Sequence, residues 1–313
     1  MKKSGRNYII YTWPWSETKG GVMFMHYLTH ELNQMGEQAF LSRVQWFGKF
    51  GLRSWMRYHR TRGPMLTNPA LNTPIARRRD ITSDSIVIYP EFIPGNPLKA
   101  KNVVRWLLYK PGLRHPYEFG PDEMFFRVDE IMDLPDLTGG APDLNLWKIN
   151  PVYRNENRPD RKGVCYLVRK GDYKPRIPET ETAEAIQVDG MSHEQMNEVF
   201  NRCDTFYSYD EATMYSQFAV IAGCTSIVVP GLFGSRQEWA AGHPNGRYGI
   251  AYGNSPEQLA HARSTSQQMI TTMQAREAAG IDTVQNFVAL TKQRFWNDKP
   301  GLIVPGPTGQ AAY

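Results

Sequence analysis

Three groups of polar residues could do chemistry in this sequence. Tyr209, Asp210, Glu211 and Thr213 stand between a β-rich run, 205–208, and an amphipathic helical stretch that stops at Gly223. A turn leading into a helix offers free backbone N–H groups and the positive end of the helix dipole, so a small molecule would sit here. Asp210 and Glu211 would then bind its hydroxyls, or simply favour the positive helix end. Glu91 closes the phrase Tyr89-Pro90-Glu91 at the end of a buried run, where a general base or a ligand for a substrate hydroxyl is expected. An ion pair with Arg105 is the equal alternative. Glu17, Gly20, Gly21 and His26 follow the first apolar run, and the two glycines let a ligand approach the backbone closely. His26 and His30 share a helical face at metal-ligand spacing, but no third ligand lies near them, so a packed or substrate-facing histidine is the better reading.

These groups need strands and helices to hold them. Residues 203–231 read as one β-α-β unit, with a buried strand at 226–229. Ahead of it lie a strand at 164–168, a short one at 186–189 and a helix over 192–200 with Ser192 as N-cap. Behind it come a strand at 249–252, a helix starting at Ser255-Pro256, and a final helix at 281–296. The first half gives strands at 7–11, 38–41, 85–89 and 124–128, and a helix from Val22 with Gly36 as its stop. Asn96-Pro97-Leu98 opens a helix or turn leading into 103–108, which Pro111-Gly112 ends. Alternating strands and helices predict parallel sheets with ligands at the carboxyl ends of the strands.

A length of 313 residues accommodates two such domains. The Pro-rich, charged stretch 150–162 is the candidate linker, giving an N-terminal domain over 1–155, a second over 156–280, and a C-terminal helix and tail over 281–313. No apolar run approaches the roughly 20 residues a membrane span needs, and the basic N-terminus lacks the apolar core of a signal peptide, so a cytoplasmic protein is expected. Cys165, Cys203 and Cys224 read as buried free thiols. The net charge of +5 is unevenly spread. Within an insertion at 42–80, Arg43, Lys49, Arg53, Arg57, Arg60, Arg62, Arg77, Arg78 and Arg79 accompany Trp46, Phe47, Phe50, Trp55 and Tyr58, with no acid before Asp80. Such a patch suits an anionic membrane surface first and nucleic acid second, or is merely solvated. There is no Asp-x-Asp, no Gly-x-Gly-x-x-Gly, no phosphate-loop Gly-Lys-Ser/Thr and no Gly-x-Ser-x-Gly, which disfavours a metal-diphosphate transferase, a dehydrogenase, an NTPase and a hydrolase.

The order of a small-residue helix, Ala222-Gly223, a small residue and a β-branched strand resembles the donor-sugar half of GT-B glycosyltransferases, which usually reads Glu-Ala-x-x-x-Gly-x-Pro-Val-Val. Their acceptor half is similar to Gly20-Gly21, four residues, His26, Leu28 and Leu32, then Gly36 and Ala39. Tyr89-Pro90-Glu91, Asn96-Pro97-Leu98, Asn102 to Trp106 and Pro111-Gly112 look like a bacterial polysaccharide-type branch of that superfamily. The resemblance covers nearly the whole chain and rests on the order of its motifs. It implies an α/β GT-B fold, two Rossmann-like domains facing a central cleft, with the last helix crossing back to the first. It also implies metal-independent glycosyl transfer, without a cofactor, from a nucleotide sugar such as a UDP-sugar to a saccharide or lipid-linked acceptor of an envelope polysaccharide. Arg169 and Lys170 would hold the diphosphate, because fixed cations stabilise the charge on a departing nucleoside diphosphate. Tyr209, Asp210, Glu211, Thr213, Gly20 and Gly21 complete the donor site. Glu91, His26 and Glu17 are the candidate catalytic residues. Where many of these enzymes carry a ribose-binding glutamate, this chain has Phe218 beside Gln217, so the acidic role falls to Asp210 and Glu211. The competing readings are transfer to a modified nucleic-acid base and a non-catalytic nucleic-acid-binding module.

Overall fold

A computed structural model describes residues 5–44, 65–112, 116–242 and 246–297 of the chain. It contains two compact units, 1–146 with 279–313, and 147–278. In the first unit β1 (Tyr8–Thr12), β2 (Ala39–Arg43), β3 (Ile86–Pro90), β4 (Asn102–Leu107) and β5 (Met124–Arg127) form a parallel sheet in the order β2-β1-β3-β4-β5. Every residue of β1, β3 and β4 is buried, as expected for parallel strands covered on both faces. Alternate side chains feed two cores. Tyr8, Ile10, Ile88, Val104 and Trp106 pack on one face, and Ile9, Tyr11, Val87, Tyr89 and Val103 on the other.

Helix α1 (Gly20–Gln34) follows β1 and ends where Gly36 takes a positive φ of 82°. The stretch 102–107 is a strand rather than the continuation of a helix or turn. Its β-branched Val103 and Val104 fit the pleat, and all six residues are buried. The end of the insertion returns along the sheet edge, where Leu41 N donates to Pro74 O and Ala76 N to Leu41 O. Arg77, Arg78 and Arg79 are exposed there. The predicted aromatic residues Trp46, Phe47, Phe50, Trp55 and Tyr58, and Lys49, Arg53, Arg57, Arg60 and Arg62, lie outside the described residues. Helix α2 (Pro135–Thr138) is a single turn ended by Gly139.

The second unit repeats the layout. Strands β6 (Val164–Leu167), β7 (Ile186–Gln187), β8 (Thr205–Ser208), β9 (Thr225–Val228) and β10 (Ile250–Tyr252) pair in the order β10-β9-β8-β6-β7. Numbered within each unit, both sheets run 2-1-3-4-5. That is a doubly wound order, whose switch point lies between the first and third strands. Helices α3 (His193–Arg202), α4 (Tyr215–Ile221), α5 (Arg236–Gly242) and α6 (Pro256–Ala278) belong to this unit. Ser192 caps α3 in a reciprocal capping box with Gln195. Cys165, Cys203 and Cys224 are buried and free.

The first boundary falls elsewhere than the linker reading placed it. Residues 150–162 are part of the second unit, because Tyr153 stacks on Phe218 at 4.3 Å and the amides of Arg154 and Glu156 bond the side chains of Asn197 and Asn201. The first boundary therefore falls at Leu146 instead of residue 155. Helix α7 (Gly280–Trp296) lies on the first unit's core, with Phe287 against Phe126, Thr291 bonded to the Tyr8 hydroxyl, and Trp296 Nε1 donating to Asp84 O. The chain is thus an α/β fold of two Rossmann-like domains, with the last helix packed on the first. No helix among the described residues is long and apolar enough to cross a membrane.

Candidate functional site

In the first unit the carboxyl ends of β1 and β3 part at the switch point and leave a cavity of about 330 Å³. It is lined by Thr12 at the end of β1 and Trp13 after it, by Lys19 ahead of α1 and Gly20, Gly21, Val22 and Met25 within it, by Pro90 at the end of β3 and Phe92 beyond it, and by Leu108 after β4. Trp13 and Phe92 stand 5.0 Å apart as an aromatic wall. No side chain caps α1, and its first turn holds no acid, so its leading N–H groups and dipole keep their preference for a negative charge. A Cβ on Gly21 would come within 3.5 Å of a Leu108 methyl, so the absence of side chains at Gly20 and Gly21 keeps this end of the cavity open.

Glu91 stands between Pro90 and Phe92, which line the cavity, and is not itself in the lining. It follows β3 directly, it is 5 % exposed, and its carboxylate accepts Leu108 N at 3.0 Å. Burial pushes its pKa up to about 7, while its own amide and those of Leu108 and Tyr109 oppose the rise. The ion pair with Arg105 does not form. Arg105, fully buried in β4, gives Nε and Nη2 to Glu123 at 2.8 and 2.6 Å and its remaining donors to the carbonyls of Pro90, Ile93 and Gly95. Arginine thus knits the β3–β4 connection, and Glu91 is a buried acid with no ion-pair partner among the described residues, the nearby Arg105 charge only partly offsetting the effect of burial. His26 is fully buried and donates Nε2–H to Trp13 O, which fixes the tautomer, while Nδ1 has no partner among the described residues. Burial lowers its pKa against that carbonyl, so the ring stays neutral and holds the cavity's tryptophan wall. His30 Nδ1 accepts Asn72 N instead, so the two histidines do not converge on a metal. Glu17 is exposed on the turn before α1 and lines no wall of this cavity.

In the second unit the equivalent strand ends gather Arg169, Lys170, Tyr209, Asp210, Glu211 and Thr213. Asp189 accepts the amides of Val168 and Arg169, and Arg169 holds a positive φ of 40° with its guanidinium 5.4 Å over the Tyr215 ring. Lys170 beside it is exposed. Glu211 is not available to a sugar. It is buried against Lys174 at 3.2 Å and also accepts Tyr252 Oη–H at 2.8 Å and Leu232 N. Lys174 donates on to Val229 O at 2.6 Å, so this pair ties together the loops after β6, β8 and β9. Tyr209 is likewise structural, its hydroxyl bonded to Ile177 N and Thr180 Oγ1. Thr213 Oγ1 accepts Tyr215 N at the start of α4. Asp210 is different. One carboxylate oxygen accepts Ala212 N, and the other is buried with no partner among the described residues. Phe218 belongs to the core.

Gly171 explains how these loops approach so closely, since a Cβ there would lie 2.2 Å from Tyr209 O. Gly171→Ala must displace backbone, and a loss of about 1–3 kcal/mol is expected, read as a fall in denaturation midpoint. Lys174 and Thr12 are the residues sequence reasoning missed. A hydroxyl on the last residue of a fully buried strand is the signal that could have found Thr12, whereas Lys174 lies in a loop well past β6 and carries no local signal. Among the described residues no group of three or more His, Cys, Asp or Glu is placed to hold a metal.

Neither a family model nor a curated protein matches this sequence. Among solved structures, Acinetobacter baumannii MurG is 13 % identical with a TM-score of 0.37, over 92 % of this chain and 99 % of that one. A Listeria monocytogenes protein assigned as a UDP-N-acetylglucosamine 2-epimerase is 10 % identical with a TM-score of 0.38, over 95 % and 97 %. At these values neither likeness speaks to the chemistry of this chain.

Proposed function

We propose that the protein transfers a glycosyl group from a nucleotide sugar to an acceptor hydroxyl, with Glu91 as the general base. The observation that carries this is a buried carboxyl group with a pKa near 7, carried between Pro90 and Phe92, two residues that line the switch-point cavity. A base is most effective when its pKa lies near the working pH, because it is then both deprotonated and strong enough to take the hydroxyl proton. The donor belongs at the equivalent strand ends of the second unit. There Arg169 and Lys170 supply positive charge for a diphosphate, and the unpaired Asp210 oxygen suits a ribose or sugar hydroxyl. Tyr209, Glu211 and Thr213 shape that site from behind. A saccharide or lipid-linked acceptor is the preferred partner, with peripheral contact to an anionic membrane through the 42–80 insertion. No cofactor is needed beyond the donor.

Arg169→Ala combined with Lys170→Ala should weaken binding of a nucleoside diphosphate by about 1.5–3 kcal/mol for each charge-assisted bond lost. Calorimetry with UDP tests this, and unchanged affinity would remove the diphosphate assignment. Transfer should also persist after exhaustive chelation, because the cationic side chains stand where a metal would otherwise neutralise the leaving group. Complete loss of activity in EDTA, restored by a divalent metal, would contradict a metal-independent mechanism.

A further inference from the structure

Arg169 keeps a backbone conformation that a merely solvated arginine has no reason to hold. Its φ of 40° lies in the left-handed region, which a side chain other than glycine rarely adopts and which persists only where the surroundings enforce it. Asp189, in the turn after β7, enforces it. Its Oδ2 accepts Val168 N and its Oδ1 accepts Arg169 N, both at 2.9 Å, so one carboxylate clasps two consecutive amides where the chain leaves β6. Gln187 Nε2 donates to the same Oδ2 at 3.1 Å. Both oxygens are thus occupied, and Asp189 does not pair with the guanidinium. That group is exposed and makes no hydrogen bond or ion pair among the described residues. It lies over the face of Tyr215, 5.4 Å from the ring centre. Tyr215 opens α4, is 6 % exposed, and is itself held by Phe218 and His193, each with its ring centre 6.0 Å away. His193 Nδ1 is bonded in turn to the Tyr153 hydroxyl at 2.7 Å. A cationic side chain steered by strained backbone at its root and by an aromatic face at its tip, yet without a partner for its charge, is prepared for an anion.

We infer that Asp189 and Tyr215 are positioning residues: Asp189 fixes the backbone from which the Arg169 side chain leaves, Tyr215 carries its guanidinium, and together they hold that charge ready for the donor diphosphate. Neither needs to touch the donor. The inference rests on the diphosphate assignment of Arg169 and adds two residues outside it. Such preorganisation gains affinity because a long side chain that is already ordered loses less freedom on binding.

The test is a double-mutant cycle read by calorimetric titration of the full chain with UDP. Arg169→Ala should weaken UDP binding about ten- to a hundredfold. With Arg169 present, Asp189→Ala should weaken it about tenfold and Tyr215→Leu about three- to tenfold. Asp189→Asn keeps one acceptor oxygen for the two amides, so it should fall between wild type and Asp189→Ala, and it leaves the cycle readable should alanine unfold the turn. In the Arg169→Ala background neither Asp189→Ala nor Tyr215→Leu should weaken UDP further, because the charge they hold is gone. A melting temperature for each variant separates folding from binding. A merely structural Asp189 would lower the melting temperature and change UDP binding by the same factor with or without Arg169, and that result overturns the inference. Wild-type affinity in both Asp189→Ala and Tyr215→Leu overturns it as well, and leaves the donor assignment standing if Arg169→Ala still binds weakly. If Arg169→Ala binds UDP as the wild type does, the donor assignment fails and the positioning roles fall with it.

Discussion

Glu91→Gln will lower kcat about 10²- to 10⁴-fold, the range a positioned general base contributes, and leave the affinity for the donor unchanged. Glutamine keeps an acceptor oxygen for Leu108 N, so the connection after β4 is preserved while the proton acceptor is lost. In the wild type, kcat/KM should rise with pH to a plateau, with an apparent pKa near 7. Stability should move in the opposite direction. The folded protein holds the Glu91 proton more tightly than the unfolded chain does, so the buried acid stabilises the fold fully below about pH 4.5. That contribution fades as pH rises and is gone above about 7, a total of about 3 kcal/mol. Glu91→Gln should remove this dependence. Denaturant melts of both proteins at pH 5 and pH 8 measure it, and parallel behaviour of the two would mean that Glu91 is not a buried acid.

Glu211→Ala is expected to cost about 3–5 kcal/mol of stability, because it leaves the Lys174 ammonium buried without its counter-charge. The loss should be confined to the second unit, since every partner of Glu211 lies within it. Burial already lowers the Lys174 pKa against the pull of Glu211. In the mutant that lysine will release its proton more readily, so part of the stability should return at alkaline pH. Replacing the pair together, Lys174→Met with Glu211→Leu, should cost much less than the single change. Urea denaturation of the three variants decides the matter. A glutamate that served only to bind a sugar would lower affinity and leave the denaturation midpoint where it was.

These two carboxylates mark how far the sequence could be read. Every strand with a dense β-branched or aromatic run was visible, from 8–12 to 250–252, because fully buried parallel strands carry that signal locally. Helix starts were equally plain at Ser192 and Ser255-Pro256, where the cap is a property of neighbouring residues. The strand at 102–107 was harder, since Arg105 interrupts its apolar run. That arginine is accommodated only because Glu123 and three carbonyls from another loop surround it. For the same reason Glu91 kept its carboxyl unpaired while Glu211 did not. Both stand just past a parallel strand, and what separates them is which distant side chain, Lys174 or none, folds over them. The linker at 150–162 misled through composition, because its prolines and arginines hide the anchor that Tyr153 makes on Phe218.

The central claim is that the chain binds a nucleotide sugar at the strand ends of its second unit. A thermal-shift series with nucleotide sugars, each supplied at increasing concentration to wild type and to Arg169→Ala with Lys170→Ala, tests it most directly. One donor should stabilise the wild type in proportion to the logarithm of its concentration, by about 2.7 kcal/mol at a hundred times its Kd, and the double variant should need far more of it. If no nucleotide sugar shifts the melting temperature at millimolar concentration, or if the double variant responds as the wild type does, the account is contradicted.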